Sequence, residues 1–454
     1  MTQLILALRA CLYALLLSLP IAAASQQVTP TTKLGLAFPG SATKYYPVVR
    51  QAGIGIVRLT ANWKLIEPRP GSYDFRGLDA RVVALQNQGL VPFITFESPA
   101  GWYAKPGTGK TSKNAEPASM EQWATFVRLV VERYDGDGTR DAPGLRFGVR
   151  YFQAANEFVA PTNRSGGWDS SNSALLDYVN TAYSAAKGAS KNTIFVMGGV
   201  ASFNMDIALL AETGNRFLLQ QRWDARSKTV FGQAEVNSPQ VRSLLNDRFK
   251  YIIRNARYDW ASVHLYGPEN RDAARIAYMR KISGRKVLST ECGGPTLDYD
   301  PNYRAQDHAS AVIERNLGIL AEGLPFCLWL GLGEEMTTTY GNRRVPLYDT
   351  SRRPKPGVNA FRLLAQMLEG RNSRVTRLGS AGYDVRGDRG RFCVASGPEA
   401  AADLASRCGA GTAAVCWTGS GGSMSWSGRA SDLAQNCQGA AVLIVGDGAK
   451  GLSL

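Results

Sequence analysis

Eight short apolar runs, each followed by a longer stretch of a different pattern, constrain this chain more than any other feature. They are Leu34–Phe38, Ile54–Leu59, Leu90–Phe96, Arg150–Ala155, Thr193–Val200, Trp260–Tyr266, Lys286–Thr290 and Phe326–Leu332. Each is apolar on both faces, as a strand covered on both sides in a parallel sheet must be. The stretches between them read as amphipathic helices. Leu78–Gln88 aligns Leu78, Val82, Val83 and Leu85 and stops at Gly89. Met120–Arg133 stacks Trp123, Phe126, Val127 and Val130 behind a Ser119 cap, and Ala309–Glu322 repeats the pattern up to Gly323. Strand and helix alternating eight times predict the α/β class and a (β/α)8 TIM barrel. A hydrophobic fraction of 44% is ample for such a core.

The barrel is expected over residues 25–370. Residues 1–24 carry Arg9, an apolar run and then Ala22-Ala23-Ala24, the pattern of a secretory signal cleaved after Ala24; an uncleaved anchor is the alternative. No later stretch approaches the ~20 apolar residues of a membrane span. The expectation is therefore an exported protein, periplasmic or extracellular, monomeric, with no membrane span after cleavage. Ala201–Asp259 is too long for one crossover helix and is read as extra helices, either walling a groove or serving as a spacer. From residue 371 to 454 Gly, Ser and Ala dominate, and Cys393, Cys408, Cys416 and Cys437 crowd together. This predicts a small disulfide-stapled β-domain, with three pairings open; it either binds sugar or is structural.

Charge and cysteine usage narrow the partners. The formal net charge is +15. On an exported chain this points away from nucleic acid and towards an anionic polysaccharide, or towards a basic surface that only keeps the protein dissolved. Two histidines in the whole chain leave no room for a His-rich catalytic metal site, so neither metal nor cofactor is expected.

In a parallel barrel, side chains at the C-terminal strand ends converge on one rim. Two runs end in glutamate: the fourth at Asn156-Glu157 and the seventh at Glu291. Glycoside hydrolysis needs such a pair, one carboxyl protonated to release the leaving oxygen and one ionised to meet the anomeric carbon.

At these residues the chain resembles the clan A retaining glycosidases. Arg58-Leu-Thr-Ala-Asn-Trp63, Ile66-Glu67-Pro68 and Pro70-Gly71-Ser-Tyr73-Asp74-Phe75 are similar to that clan's second-strand region. Asn156-Glu157 is similar to its fourth-strand acid/base motif, and Glu291 to its seventh-strand nucleophile. The resemblance spans about Leu34 to Gly370 and lies nearest the family 39-like bacterial enzymes that cut exopolysaccharide, with family 5 cellulases close in pattern. Phe158 departs from it, standing where many members carry proline.

The resemblance implies a secreted retaining hydrolase of a polysaccharide. Glu157 is the expected acid/base, its pKa raised by burial or by Glu291, and Glu291 the nucleophile, held by Arg58 and Tyr266. Asn156 would meet the sugar 2-hydroxyl, His264 and Tyr266 would contact substrate, and Trp329 would form an aromatic floor. A binding protein without catalysis, or a transglycosylase on the same barrel, are the alternatives. Barrel glutamates can also merely neutralise arginines, and Trp329 can be core. Trp63, Trp102 and Trp168 are candidate sugar platforms, and Glu97 either contacts substrate or is solvated. His308 reads as surface helix. Cys292 should face the helices, and Cys327, of opposite parity, should not pair with it. Gly107-Thr-Gly109-Lys110-Thr111 imitates the end of a phosphate-binding loop, but its first glycine is replaced by Ala104 and no helix pattern follows. It is read as a lysine-rich loop.

Overall fold

The computed structural model describes residues 30, 32–161, 163, 166–222, 228–294, 307–334, 345–379 and 382–454. The expected signal, residues 1–24, lies outside the described residues. Eight parallel strands close into a barrel in sequence order: Gly35–Ala37, Ile56–Asn62, Val91–Glu97, Tyr151–Ala154, Ile194–Met197, Trp260–Leu265, Lys286–Cys292 and Cys327–Leu330, the last pairing with the first. The expected (β/α)8 barrel is the fold. Among the described residues no helix is long and apolar enough to cross a membrane.

The helices begin where the sequence supplies caps. Ser119 Oγ accepts the Gln122 amide hydrogen at 3.3 Å to start Met120–Tyr134, and Ser171 Oγ does the same for Ala174 at 3.2 Å ahead of Asn172–Ala189. Arg76–Asn87 runs out just before Gly89, whose φ of +69° a side chain would disfavour. The long segment after the fifth strand contains the expected helices, such as Ser202–Glu212. It also contains an antiparallel hairpin, Leu219–Arg222 with Lys228–Phe231, that the sequence pattern did not announce.

Along each strand the inward side chains change character. Ala37, Ile56, Phe93, Val196, Leu288 and Leu328 form an apolar floor inside the barrel. Two residues further on, the inward positions are polar: Arg58 follows Ile56, Thr95 follows Phe93 and Thr290 follows Leu288, all buried. Inward alternation at period two therefore carries the barrel from a packed plug to a polar rim.

The seventh strand breaks that period. Its pairing with the sixth steps from Ser262↔Leu288 to His264↔Glu291, and with the eighth from Cys327↔Ser289 to Trp329↔Cys292. On both sides it carries one residue more than its neighbour, a β-bulge. The bulge lets Thr290 and Glu291 both face the rim and turns Cys292 outward. The expectation that Cys292 and Cys327 stay apart is overturned. They form a disulfide with Cα atoms 6.0 Å apart, because on the eighth strand Leu328 takes the inward position and Cys327 points outward, to the side where Cys292 was expected and lies.

His308 corrects a second expectation. It sits on the helix Asp307–Ala321 but is 1% exposed, with Nε2 2.9 Å from the Val345 carbonyl and Nδ1 accepting the Gly357 amide at 3.2 Å. Burial pushes its pKa down to about 4. The unfolded chain binds a proton there near pH 6.5 and the folded one does not, so this residue weakens the fold as pH falls from about 6.5 to 4. Relative to His308→Gln, wild type is expected to lose about 3 kcal/mol across that window. Urea melts of both proteins at each pH would show it; parallel pH profiles would rule it out.

The C-terminal residues form a six-stranded antiparallel sheet in the order Arg374–Leu378, Gly382–Gly387, Gly390–Ser396, Val442–Val445, Ala413–Trp417, Trp426–Arg429. Alternation sorts its faces. Cys393, Cys416, Leu443 and Val445 pack under the helix Ala401–Cys408, stapled by disulfides Cys393–Cys408 and Cys416–Cys437. Phe392, Val394, Val415, Trp417, Val442 and Ile444 point the other way and join the same core as the barrel helices. Each such burial is worth roughly 1.5–3 kcal/mol, so this sheet is built into the barrel wall. Trp417 is buried and Trp426 half-buried, leaving no exposed tryptophan among the described residues of the sheet for a sugar to stack on.

Candidate active site

Two glutamates meet at the C-terminal rim. Glu157 lies just past the fourth strand, where the chain turns sharply: Ala155 and Glu157 have φ of +67° and +48°. Non-glycine residues in this region store roughly 1–3 kcal/mol each, and the surroundings hold them there. The Glu157 amide donates to the Gly199 carbonyl at 3.0 Å, and Asn114 Nδ2 donates to the carbonyls of Asn156 and Gly167 at 3.2 and 2.9 Å. Glu291 arrives through the bulge of the seventh strand.

Arg58 is the hub. It is 2% exposed and donates to Glu291 Oε1 at 2.7 Å, the Thr290 carbonyl at 3.1 Å, Asn156 Oδ1 at 3.0 Å and Thr95 Oγ1 at 2.7 Å. Gln153 Nε2 gives Asn156 Oδ1 a second hydrogen bond at 3.2 Å. The Tyr266 hydroxyl donates to Glu291 Oε2 at 3.0 Å. Burial, then the charges of Glu291 and Glu157, push its pKa well up, so the phenol keeps the proton it donates.

His264 lies between the carboxylates, fully buried, with Nδ1 2.8 Å from Glu157 Oε1 and 3.6 Å from Glu291 Oε2. Asn163 Nδ2 donates to Glu157 Oε2 at 2.8 Å. One oxygen of each glutamate and a ring nitrogen of His264 fall within 4.8 Å of one another. The same compactness is found for Asp135, Asp137 and Asp141, but there Asp141 accepts the Gly136 and Gly138 amides at 3.1 and 2.8 Å, as a turn cap does.

The structure thus brings Glu157, Glu291, Asn156, Arg58, His264 and Tyr266 together. It does not bring Trp329 with them. That ring is fully buried on the outer side of the barrel, donating to the Val345 carbonyl at 2.7 Å and packed on Phe361 and His308. Leu328 and Leu330 hold the alternate parity, so the tryptophan faces the helices. Trp63 and Trp168 are likewise core, while Trp102 is partly exposed and donates to the Glu67 carbonyl at 2.8 Å. Glu97 sits 3.5 Å from Asn62 Nδ2 and 3.8 Å from Lys113 Nζ. In the lysine-rich loop, the Gly109 and Thr111 amides point at the Asp169 carboxylate, at 2.8 and 3.5 Å, where a phosphate-binding loop would keep them for its ligand.

Gly199 and Asn163 are the contributors that sequence reasoning missed. A Cβ on Gly199 would stand 2.1 Å from His264 Nε2, so only glycine lets the imidazole slide beneath Glu157. The pair Gly198-Gly199 closing a strand was the available signal, since strand glycines mark close approach. Gly199→Ala is expected to expel the ring and lower kcat/KM at least ~100-fold, as misplacement by an ångström does. Initial rates together with a crystal structure would test this; an unmoved ring with full activity would refute it.

Fold and site together define an α/β barrel carrying a buried two-carboxylate centre. No protein-family model matches the sequence, and no curated protein matches it. Solved structures do match in fold. A family 39 glycoside hydrolase from Bacteroides cellulosilyticus WH2 aligns at 16% identity and TM-score 0.54, over 81% of this chain and 70% of that one. A glucosidase from Croceicoccus marinus aligns at 14% and 0.52, over 82% and 77%. A GH39 β-xylosidase from Caulobacter crescentus aligns at 15% and 0.51, over 82% and 80%. At these identities the likeness is one of fold.

Proposed function

We propose that this chain is a retaining glycoside hydrolase acting on a polysaccharide by double displacement. One observation carries the reading: carboxylate oxygens of Glu157 and Glu291 lie within 4.8 Å of each other. Carboxyls ~5–5.5 Å apart suit direct attack on the anomeric carbon, whereas inverting enzymes space them ~6.5–9.5 Å apart to admit water. The barrel likeness to a family 39 glycoside hydrolase, a glucosidase and a β-xylosidase supports it.

In this mechanism Glu291, receiving a guanidinium and a phenol, attacks the anomeric carbon. Glu157 gives its proton to the departing oxygen. Asn156 offers its amide to the 2-hydroxyl, its Oδ1 already engaged by Arg58 and Gln153. Glu157 then takes a proton from water, which opens the glycosyl–Glu291 ester with the configuration retained.

The proposed substrate is an anionic polymer outside the cytoplasm. Its support is the net charge of +15 and two cations flanking Tyr45 at the rim, Lys44 Nζ at 5.2 Å and Arg352 Cζ at 4.4 Å from the ring. Three disulfides fit an oxidising compartment. The test is release of reducing ends from neutral and anionic exopolysaccharides at low and high salt, with proton NMR of the first-formed anomer. Retention is expected, with cleavage of anionic polymers falling as salt rises. An inverted product, or binding without release, would sink the reading; salt-independent cleavage would remove the anionic part alone.

A further inference from the structure

We infer that Thr290 and Ser262 are positioning residues, a buried hydroxyl relay that fixes the tautomer of His264 and through it the proton on Glu157. The inference rests on reading Glu157 as the acid/base. It starts from the sixth strand, which buries His264 completely with Nδ1 2.8 Å from Glu157 Oε1 and 3.6 Å from Glu291 Oε2. A ring nitrogen facing two carboxylate oxygens carries a hydrogen, and in the neutral imidazole this leaves Nε2 as the acceptor. Nε2 lies 3.3 Å from Thr290 Oγ1, and Thr290 must then donate. Having donated, it accepts from Ser262 Oγ at 2.7 Å. Ser262 Oγ accepts the Thr290 amide hydrogen at 3.2 Å, which leaves its own proton to point along the chain. All three side chains are fully buried.

The relay acts on one partner more than the other. Nδ1–H is nearer Glu157 than Glu291, and a hydrogen bond to a carboxylate favours its ionised form. Among the described residues, Glu157 also faces Asn163 from its own loop, Glu291 from the seventh strand and Tyr266 from the sixth, with Arg58 beyond Asn156. His264 is the donor among these that can reverse its direction by shifting its hydrogen to the other nitrogen. In the proposed relay Thr290, supplied with a hydrogen bond by Ser262, opposes that shift. Ionised Glu157 is the base of the second chemical step, so the relay matters for turnover as well as for protonation.

The two histidines of the chain make a direct test possible. His308 sits with Nε2 on a carbonyl and Nδ1 accepting an amide, which dictates the Nε2–H tautomer. His264 should show the opposite one. In 15N-histidine-labelled wild type at neutral pH, long-range 15N–1H spectra should show one ring of each tautomer. Two Nε2–H rings, or an imidazolium at His264, would overturn the inference whatever the enzyme cleaves, and this result needs no variant to fold. Thr290→Val should let the His264 nitrogens average and move the alkaline limb of kcat/KM up by about half to one pH unit. Thr290→Ser should restore both, and Ser262→Ala should give part of the shift. Equal profiles for Val and Ser would also overturn it. Absence of glycosidase activity in wild type would instead strike at the proposed function, leaving the tautomer result standing.

Discussion

Glu291→Gln is expected to lower kcat by a factor on the order of 10⁴ or more, because removing a covalent nucleophile leaves only binding and positioning. The amide is nearly isosteric and keeps an oxygen for Arg58 Nη1, which now sits 2.7 Å from Oε1, so the fold should survive. It cannot attack carbon, and its NH2 would confront the Tyr266 hydroxyl that now donates to Oε2 at 3.0 Å. Glu157→Gln should behave differently. Loss of a general acid costs about 10²–10⁴-fold, and the deficit should shrink for aryl glycosides, whose leaving groups need no proton. A small nucleophilic anion such as azide should then restore turnover in Glu157→Gln by replacing water in the second step. Rates on one polymer and one aryl glycoside, with circular dichroism to confirm folding, separate the two roles. Near-wild-type turnover in either variant would leave the two-carboxylate mechanism without support.

Much of this arrangement was legible because barrel geometry is periodic. Alternating strand and helix patterns located all eight strands, and strand ends pointed to Glu157 and Glu291, while the expectations for Arg58, Asn156, His264 and Tyr266 came from the resemblance. The failures occurred where strand parity was taken from the resemblance or where burial is decided by distant residues. A bulge leaves no mark in a sequence such as Lys286–Cys292, so the directions expected for Glu291 and Cys292 rested on the resemblance and not on period two. Trp329 belongs to a regular stretch, and there parity alone assigned it to the helices against the expectation drawn from resemblance. His308 looked solvated because its covering partners, Val345 and Gly357, lie 37 and 49 positions away. The last sheet looked separate because composition shifts at its start. Its alternating strands in fact present one apolar face to the barrel helices, and Ser310 Oγ donates to the Ala441 carbonyl at 3.1 Å across that contact. Asn163 had no signal at all, since a loop amide gains meaning only from where the loop folds back.

Arg58→Met should be the most destabilising single change at the site, costing about 3–5 kcal/mol, because it strands a buried carboxylate without its counter-charge. The penalty arises from what remains: Glu291 is 5% exposed, and Asn156 Oδ1, the Thr290 carbonyl and Thr95 Oγ1 each lose a donor. Arg58→Lys should recover part of the stability and little of the activity, since one ammonium cannot span four partners contributed by three different strands and loops. Guanidinium melts will measure the first effect and kcat/KM the second. The cause can be isolated in a double-mutant cycle. If the cost is the uncompensated charge, adding Glu291→Gln to Arg58→Met should raise stability, although Glu291→Gln in the wild-type background should lower it. That change of sign is the signature of a buried ion pair. Additive effects would instead mean that Arg58 stabilises the rim through its other hydrogen bonds, and that Glu291 does not depend on it for its place in the cleft.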